Sequence, residues 1–137
     1  MKFSDVNKAC QEVLAKGLAD LGVLTVSAEE SMKPEVGLHR RWTLHGVSHH
    51  LGLDVHDCAH ARKENYMDAE LREGMVITVE PGLYIQPDDE LFTPEYRGIG
   101  IRIEDDIVVT ADGCRNLSAG IPSHPDAIEK WMKSILG

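Results

Sequence analysis

The sequence predicts an α+β chain in which an antiparallel sheet is covered on one face by helices. Three observations lead there. Apolar side chains recur at helical spacing near both ends, the middle is rich in β-branched residues and glycine, and two segments of that middle carry strand patterns.

Taken in order, residues 4–21 align Val6, Cys10, Val13, Leu14, Leu18 and Leu21 on one helical stripe, with Ser4 as N-cap and Gly22 as the stop. A short helix is expected at SAEESMK, where Ser27 and Glu30 form a capping box and Pro34 forbids continuation. From Gly37 to Val55, β-branched and aromatic residues interleave with polar ones, and Gly46 and Gly52 disfavour helix, so the segment reads as extended with a bend. MVITV, Met75 to Val79, reads as a strand buried on both faces. IGIRIEDDIVVT, Ile99 to Thr110, alternates Ile99, Ile101 and Ile103 against Arg102 and Glu104, so one face is expected in the core and the other carries charge. Between these strands QPDDELFTPEYRG reads as a surface loop. In HPDAIEKWMKSIL, Pro125 occupies a first-turn position and Ile128, Trp131, Met132 and Ile135 form a stripe, which predicts a docking helix.

At 137 residues the chain fits one domain, and 42% hydrophobic with 27% charged residues is an ordinary globular balance. A formal charge of -9 removes the basic footprint that nucleic acid or an anionic membrane would require. No apolar run approaches a membrane span and the start lacks a signal-peptide core, so the expected compartment is the cytoplasm. Cys10, Cys58 and Cys114 are odd in number and widely spaced, which predicts neither a disulfide framework nor a zinc ribbon.

The chemistry concentrates in HGVSHHLGLDVHD, His45 to Asp57. His45 and His49 stand four apart, a spacing that shares one face of a helix or of a strand. The zinc-protease helix motif needs Glu after its first histidine; Gly46 stands there, so the strand reading survives. Glu80 ends an apolar strand at Pro81-Gly82, and Glu104 sits within another beside Arg102. Carboxylates at such places need a cation, and one histidine with several carboxylates suits Mn²⁺ or a similar divalent ion. The same residues also fit a satisfied core histidine and a solvated strand face with a surface ion pair. A second cluster of Asp54, His56, Asp57, Cys58 and His60 mixes hard and soft ligands and is set aside, and His39, His50, His60 and His124 are assigned no chemistry.

HGVSHHLGLDVHD, EGMVITVEPGLYI and YRGIGIRIEDDIVVT, in that order, resemble three signature blocks of the Xaa-Pro aminopeptidases (aminopeptidase P). These are pita-bread metallopeptidases related to prolidase and methionine aminopeptidase. The Ser48-His49 step and the GLDVHD run are closer to aminopeptidase P than to prolidase. The resemblance implies that residues 1–137 form the C-terminal half of a pita-bread catalytic domain. It implies His49, Glu80 and Glu104 as metal ligands, Glu104 bridging two ions and Glu80 also moving protons. His45 and His56 would position the substrate and polarise the scissile carbonyl, Arg102 would orient the carboxylates, and Tyr84 would edge the pocket. The implied reaction is release of the residue preceding proline by a hydroxide activated between two Mn²⁺ ions, with Co²⁺ or Zn²⁺ as alternatives.

Two departures stand out. His50 occupies a place where members of the family often carry an aromatic residue. The family's dinuclear site also uses two aspartates from strands that precede the first helix here, so three of the five expected ligands are present. The expectation is a chain inactive by itself. The alternatives are a non-catalytic half-domain that pairs through an exposed apolar sheet face, by self-association or with a partner, and an Xaa-Pro dipeptidase. A piece of a longer enzyme is the remaining option.

Overall fold

A computed structural model describes residues 1–137. Helix α1 spans Phe3–Asp20, α2 spans Ala28–Ser31 and α3 spans Pro125–Leu136; six short strands lie between, β1 His50–Leu51, β2 Val76–Val79, β3 Gly82–Tyr84, β4 Gly100–Arg102, β5 Asp105–Thr110 and β6 Gly113–Asn116. All pairings are antiparallel, in a four-stranded sheet ordered β1-β2-β5-β6 and a two-stranded sheet of β3 and β4. The α+β architecture expected from the sequence is present.

The N-cap of helix α1 lies two residues before the expected one. Lys2 is its N-cap, the Asp5 carboxylate accepts from the Lys2 N–H at 2.8 Å, and Ser4 lies inside the helix. The stop is as read, with Gly22 at φ 72° beyond the C-cap. Ser27 caps α2 by accepting from the Glu30 N–H at 3.0 Å, but the expected capping box is half formed, because the Glu30 carboxylate pairs with Lys33 instead.

The stretch 37–55 departs most from its reading as an extended run. Gly37 adopts φ 57° and starts a 3₁₀ turn at Leu38–Arg41, and only His50–Leu51 pairs as a strand. Buried His39 explains the turn. Its N–H donates to Ser31 Oγ at 2.9 Å, and its ring Nδ1 lies 3.0 Å from the Ser31 carbonyl, tying the segment to α2. Burial lowers the His39 pKa, with the nearby Arg40 charge acting the same way against the Ser31 bond.

α1 packs along two small cores. Phe3 and Val6 meet Ile77, while Leu18 meets Trp42, Ile85 and Phe92. The loop 86–98 lies on the surface as read, and it is anchored there by the buried Asp89 and Phe92. Its Asp89, 1% exposed, accepts from Trp42 Nε1 at 2.6 Å, from Arg41 Nε at 3.1 Å and from the Leu91 N–H at 3.1 Å. Burial by itself would push the Asp89 carboxyl up, but the hydrogen bonds from Arg41, Trp42 and Leu91 hold it below the usual carboxylate range.

Two expectations about packing are corrected. Ile99, Ile101 and Ile103 are 40%, 58% and 46% exposed, so the apolar side of that strand does not enter the core of this chain. Helix α3 buries none of its residues, and Ile128, Trp131, Met132 and Ile135 stay 38%, 46%, 42% and 60% exposed, so the stripe does not dock into the core. No helix is long and apolar enough to cross a membrane.

Candidate metal centre

The segment Ile99–Thr110, read as one strand, is two strands in two sheets, and so is the stretch from Val76 to Tyr84. The register nevertheless runs through both breaks. Val79 faces Asp105 and Gly82 faces Arg102, so the same register sets Glu80 opposite Glu104 and Pro81 opposite Ile103. Pro81 has no N–H to give the ladder, but its carbonyl still accepts from the Ile103 N–H at 3.4 Å. Two carboxylates directly opposite on antiparallel strands repel, and the fold tolerates them by placing a cation at their edge. Arg102 lies with Nη1 3.6 Å from Glu80 and Nη2 3.5 Å from Glu104.

The segment 47–51 runs along the other side of β2. The Thr78 N–H donates to the His49 carbonyl at 2.9 Å and the Glu80 N–H to the Val47 carbonyl at 2.7 Å. Alternation along β2 points Ile77 at α1 and leaves Thr78 and Glu80 on the opposite face. The same alternation separates the neighbouring histidines. His50 stacks on Phe3, centroids 4.6 Å apart, and meets Tyr66 edge-on, while His49 reaches Glu80 across the other face.

His49 Nε2 lies 3.2 Å from Glu80 Oε1, and His49 Nδ1 lies 3.1 Å from the His50 carbonyl. Donation to that carbonyl places the ring proton on Nδ1 and leaves the Nε2 lone pair facing a carboxylate oxygen. Two acceptors at that distance need a cation or a proton between them. Ligand atoms of His49, Glu80 and Glu104 all lie within 4.8 Å of one another. One imidazole and two carboxylates form a donor set that fits a hard or borderline divalent ion, and the carbonyl bond on Nδ1 is the outer-shell contact that fixes a ligating imidazole.

The sequence reading missed Thr78. Its buried hydroxyl accepts from the His49 N–H at 3.0 Å and donates to Glu80 Oε1 at 3.1 Å, orienting both ligands. The available signal was the lone hydroxyl in MVITV, two residues before Glu80 and hence on its face.

The other expected residues flank this cluster. The Asp57 N–H donates to the His50 carbonyl at 3.0 Å, folding the loop back so that the exposed His56 ring meets His49 edge-on, centroids 4.4 Å apart. His45 Nε2 lies 2.7 Å from the Tyr84 hydroxyl and its Nδ1 2.8 Å from the Gly46 carbonyl. With the ring proton on Nδ1, Nε2 accepts from Tyr84. Gly82 lies beneath this pair, and a Cβ there would fall 2.6 Å from the Tyr84 ring and 2.8 Å from His45 Nε2. Gly82→Ala is therefore expected to swing Tyr84 off His45 and cost about 1–3 kcal/mol. The change would be read in the Tyr84 ring NMR signals and in urea midpoints; an unmoved Tyr84 would refute it.

An imidazole and two facing carboxylates held by an arginine across adjoining strands could hold a metal ion, and the chain belongs to metallopeptidase family M24, which matches residues 1–111. Its relatives are aminopeptidases. Xaa-Pro aminopeptidase 1 of Streptomyces coelicolor is 57% identical over 136 residues, covering 99% of this chain and 27% of that protein. Xaa-Pro aminopeptidase of Escherichia coli is 47% identical over 120 residues, covering 88% of this chain and 26% of that one. Among solved structures, Pseudomonas aeruginosa aminopeptidase PepP superposes with TM-score 0.87 at 37% identity, over 97% of this chain and 29% of that one. Zn-substituted E. coli aminopeptidase P in complex with product gives TM-score 0.86 at 42% identity, over 100% and 30%. The chain thus has the fold of the matching part of aminopeptidase P and spans little more than a quarter of its curated relatives.

Proposed function

We propose that these residues form one side of an Xaa-Pro aminopeptidase centre for two divalent ions of the Mn²⁺ type, with Co²⁺ or Zn²⁺ as substitutes. The observation that carries this reading is the convergence of His49, Glu80 and Glu104 within 4.8 Å. When bound, such ions supply Lewis-acid activation of water and of the scissile carbonyl. Glu104, opposite Glu80, would be the carboxylate that holds both ions. Glu80 has Oε1 fixed by Thr78 and Oε2 beside Arg102, and its carboxylate would take the proton that the attacking water gives up and pass it to the leaving nitrogen. His56, exposed against His49, offers a ring N–H to the substrate carbonyl, and His45 sets the Tyr84 hydroxyl at the pocket edge. The names of relatives as much as 57% identical support peptides with proline second as the substrate class. A prolidase-type dipeptidase would use the same ligands and is separated from this reading by cleavage of tripeptides.

These residues supply only three of the ligands a dinuclear centre needs, so the 137-residue chain is inactive until further carboxylates reach the site from outside them. Calorimetric titration with Mn²⁺, paired with an Xaa-Pro peptide cleavage assay, tests both parts. The expected result is weak binding of at most one ion, abolished by His49→Ala and not by His50→Ala, with no cleavage. Two ions and turnover would overturn the incompleteness, and binding indifferent to His49 would overturn the metal centre.

A second reading, a pairing module without its own chemistry, rests on exposed area. The surface is 9488 Å², against about 7100 Å² for a compact monomer of 15.2 kDa. That excess is on the scale of a large obligate interface, and the exposed isoleucines of 99–103 with the stripe of α3 provide the apolar patch. Sedimentation showing a dimer would support it, and a monomer that binds no apolar dye would count against it.

A further inference from the structure

The pairing of segment 47–51 with β2 contains an irregular exchange of hydrogen bonds. Residues directly opposite in a hydrogen-bonded antiparallel pair trade two bonds, each N–H to the other's carbonyl. Thr78 and His49 stand so opposed, one step beyond the pair of His50 and Ile77. The Thr78 N–H donates to the His49 carbonyl at 2.9 Å, as the rule requires. The return bond differs: the His49 N–H passes by the Thr78 carbonyl and donates to the Thr78 hydroxyl at 3.0 Å. Strand β1 accordingly begins only at His50. The hydroxyl has one proton to give, and it goes to Glu80 Oε1 at 3.1 Å, the oxygen that lies 3.2 Å from His49 Nε2. A closed ring of contacts results, running from the His49 backbone through the hydroxyl and the carboxylate to the His49 imidazole.

Thr78 stands on the same face of β2 as Glu80, so its hydroxyl turns the His49 N–H out of the ladder toward that face. Thr78 is 1% exposed, and solvent has little access to either bond. Valine would fill the same space in MVITV with a comparable preference for strand, so the hydroxyl is what distinguishes the residue present. With valine there, the remaining acceptor for the His49 N–H is the backbone carbonyl of residue 78, and closing that regular bond draws the imidazole away from Glu80. The His50 carbonyl at Nδ1 fixes the rotation of the ring, while Thr78 fixes the backbone from which the ring projects. We propose that Thr78 is a positioning residue of the metal centre: by taking the His49 N–H in place of its own carbonyl, its hydroxyl holds the imidazole at Glu80 and so sets the affinity for a divalent ion. The proposal rests on the metal-centre reading above and gives a role to a residue that is not itself a ligand.

The test compares the 137-residue chain with Thr78→Val, which keeps the shape and loses the hydroxyl, and Thr78→Ser, which keeps the hydroxyl and loses the methyl. Without metal, Thr78→Val is expected to move the amide NMR signals of residues 47–49 and the ring signals of His49, and Thr78→Ser to leave them near those of the parent. In a Mn²⁺ titration read by paramagnetic broadening of the His49 ring signals, Thr78→Val should bind about 10–100-fold more weakly and Thr78→Ser close to the parent. Melting curves in chelator should rank the two variants the other way, with serine below valine because it gives up a buried methyl. A residue that serves stability alone cannot produce opposite rankings. The proposal is overturned if affinity follows stability, if Thr78→Val binds Mn²⁺ as tightly as the parent, or if it leaves the His49 signals in place; the metal centre survives each of these. Parent His49 signals untouched by Mn²⁺ would sink both. Should the valine chain not fold, Thr78→Ala takes its place with the same expected loss of affinity.

Discussion

Glu80→Gln is expected to lower the affinity of the chain for Mn²⁺ by about 100-fold or more while leaving its thermal stability equal or slightly higher. The two effects have opposite signs for one physical reason. Glu80 is buried and faces Glu104, so without an ion its charge is a burden that the partly exposed Arg102 only partly offsets. Glutamine keeps the shape and can still accept from the Thr78 hydroxyl, but it removes the charge a hard cation needs. Loss of even an outer-shell partner typically costs 10–100-fold in metal affinity, which sets the lower bound for a direct ligand. Calorimetry with Mn²⁺ and a melting curve in chelator provide the two readouts. A variant that melts well below the parent in chelator, or binds Mn²⁺ as tightly, would show that Glu80 is a structural ion-pair partner and no ligand.

Asp89→Ala is expected to destabilise the chain by about 3 kcal/mol, and Asp89→Asn by less. The carboxylate satisfies the indole N–H of Trp42, a residue with no exposed surface, and also binds Arg41 and the Leu91 N–H. Truncation orphans the buried indole donor and opens a void beside Phe92, whereas asparagine still offers an oxygen to the indole. The acid limb follows from the depressed carboxyl. A carboxyl held lower in the folded state contributes stability that is present above the unfolded value near pH 4 and is lost as pH falls through the folded value. Urea midpoints at pH 7 and pH 3 should therefore converge between the parent and Asp89→Asn as acid is added. A gap that stays constant would rule out the carboxylate as the anchor. The Trp42 carbonyl accepts from the Tyr84 N–H at 2.9 Å, so a loosened Trp42 should also displace the pocket edge.

Much of this was legible in the chain itself. Helix α1 and its stop at Gly22, the strand MVITV and the proline-started α3 were readable because each depends on periodicity and a local backbone rule; the expected stripe of α1 holds only in part, since the buried face runs through Phe3, Val6, Gln11, Ala15 and Leu18 and leaves Val13 and Leu21 exposed. His49, Glu80 and Glu104 stand in blocks specific enough to name the family, and the family match agrees. The 3₁₀ turn at Leu38–Arg41 was not legible, because it is held by buried His39 bonding to Ser31, eight residues earlier in sequence. The anchoring of loop 86–98 was equally hidden, since Asp89 in a Pro- and Asp-rich run looks solvated until Trp42 and Arg41 are brought to it from 47 and 48 residues away.

The sequence alone determined which residues are candidates for the chemistry, because a donor set is a property of side-chain type and order: one histidine, two carboxylates and the arginine beside them. Only the tertiary structure decided how they meet. An unbroken antiparallel register sets Glu80 against Glu104, the one-residue alternation sends His49 toward Glu80 and His50 into the stack on Phe3, and Thr78 ties His49 to Glu80. It also decided that Ile99, Ile101 and Ile103 remain exposed. Alternation along a strand fixes which residues share a face, but whether that face is covered depends on the surface that packs against it, which no pattern within the strand encodes.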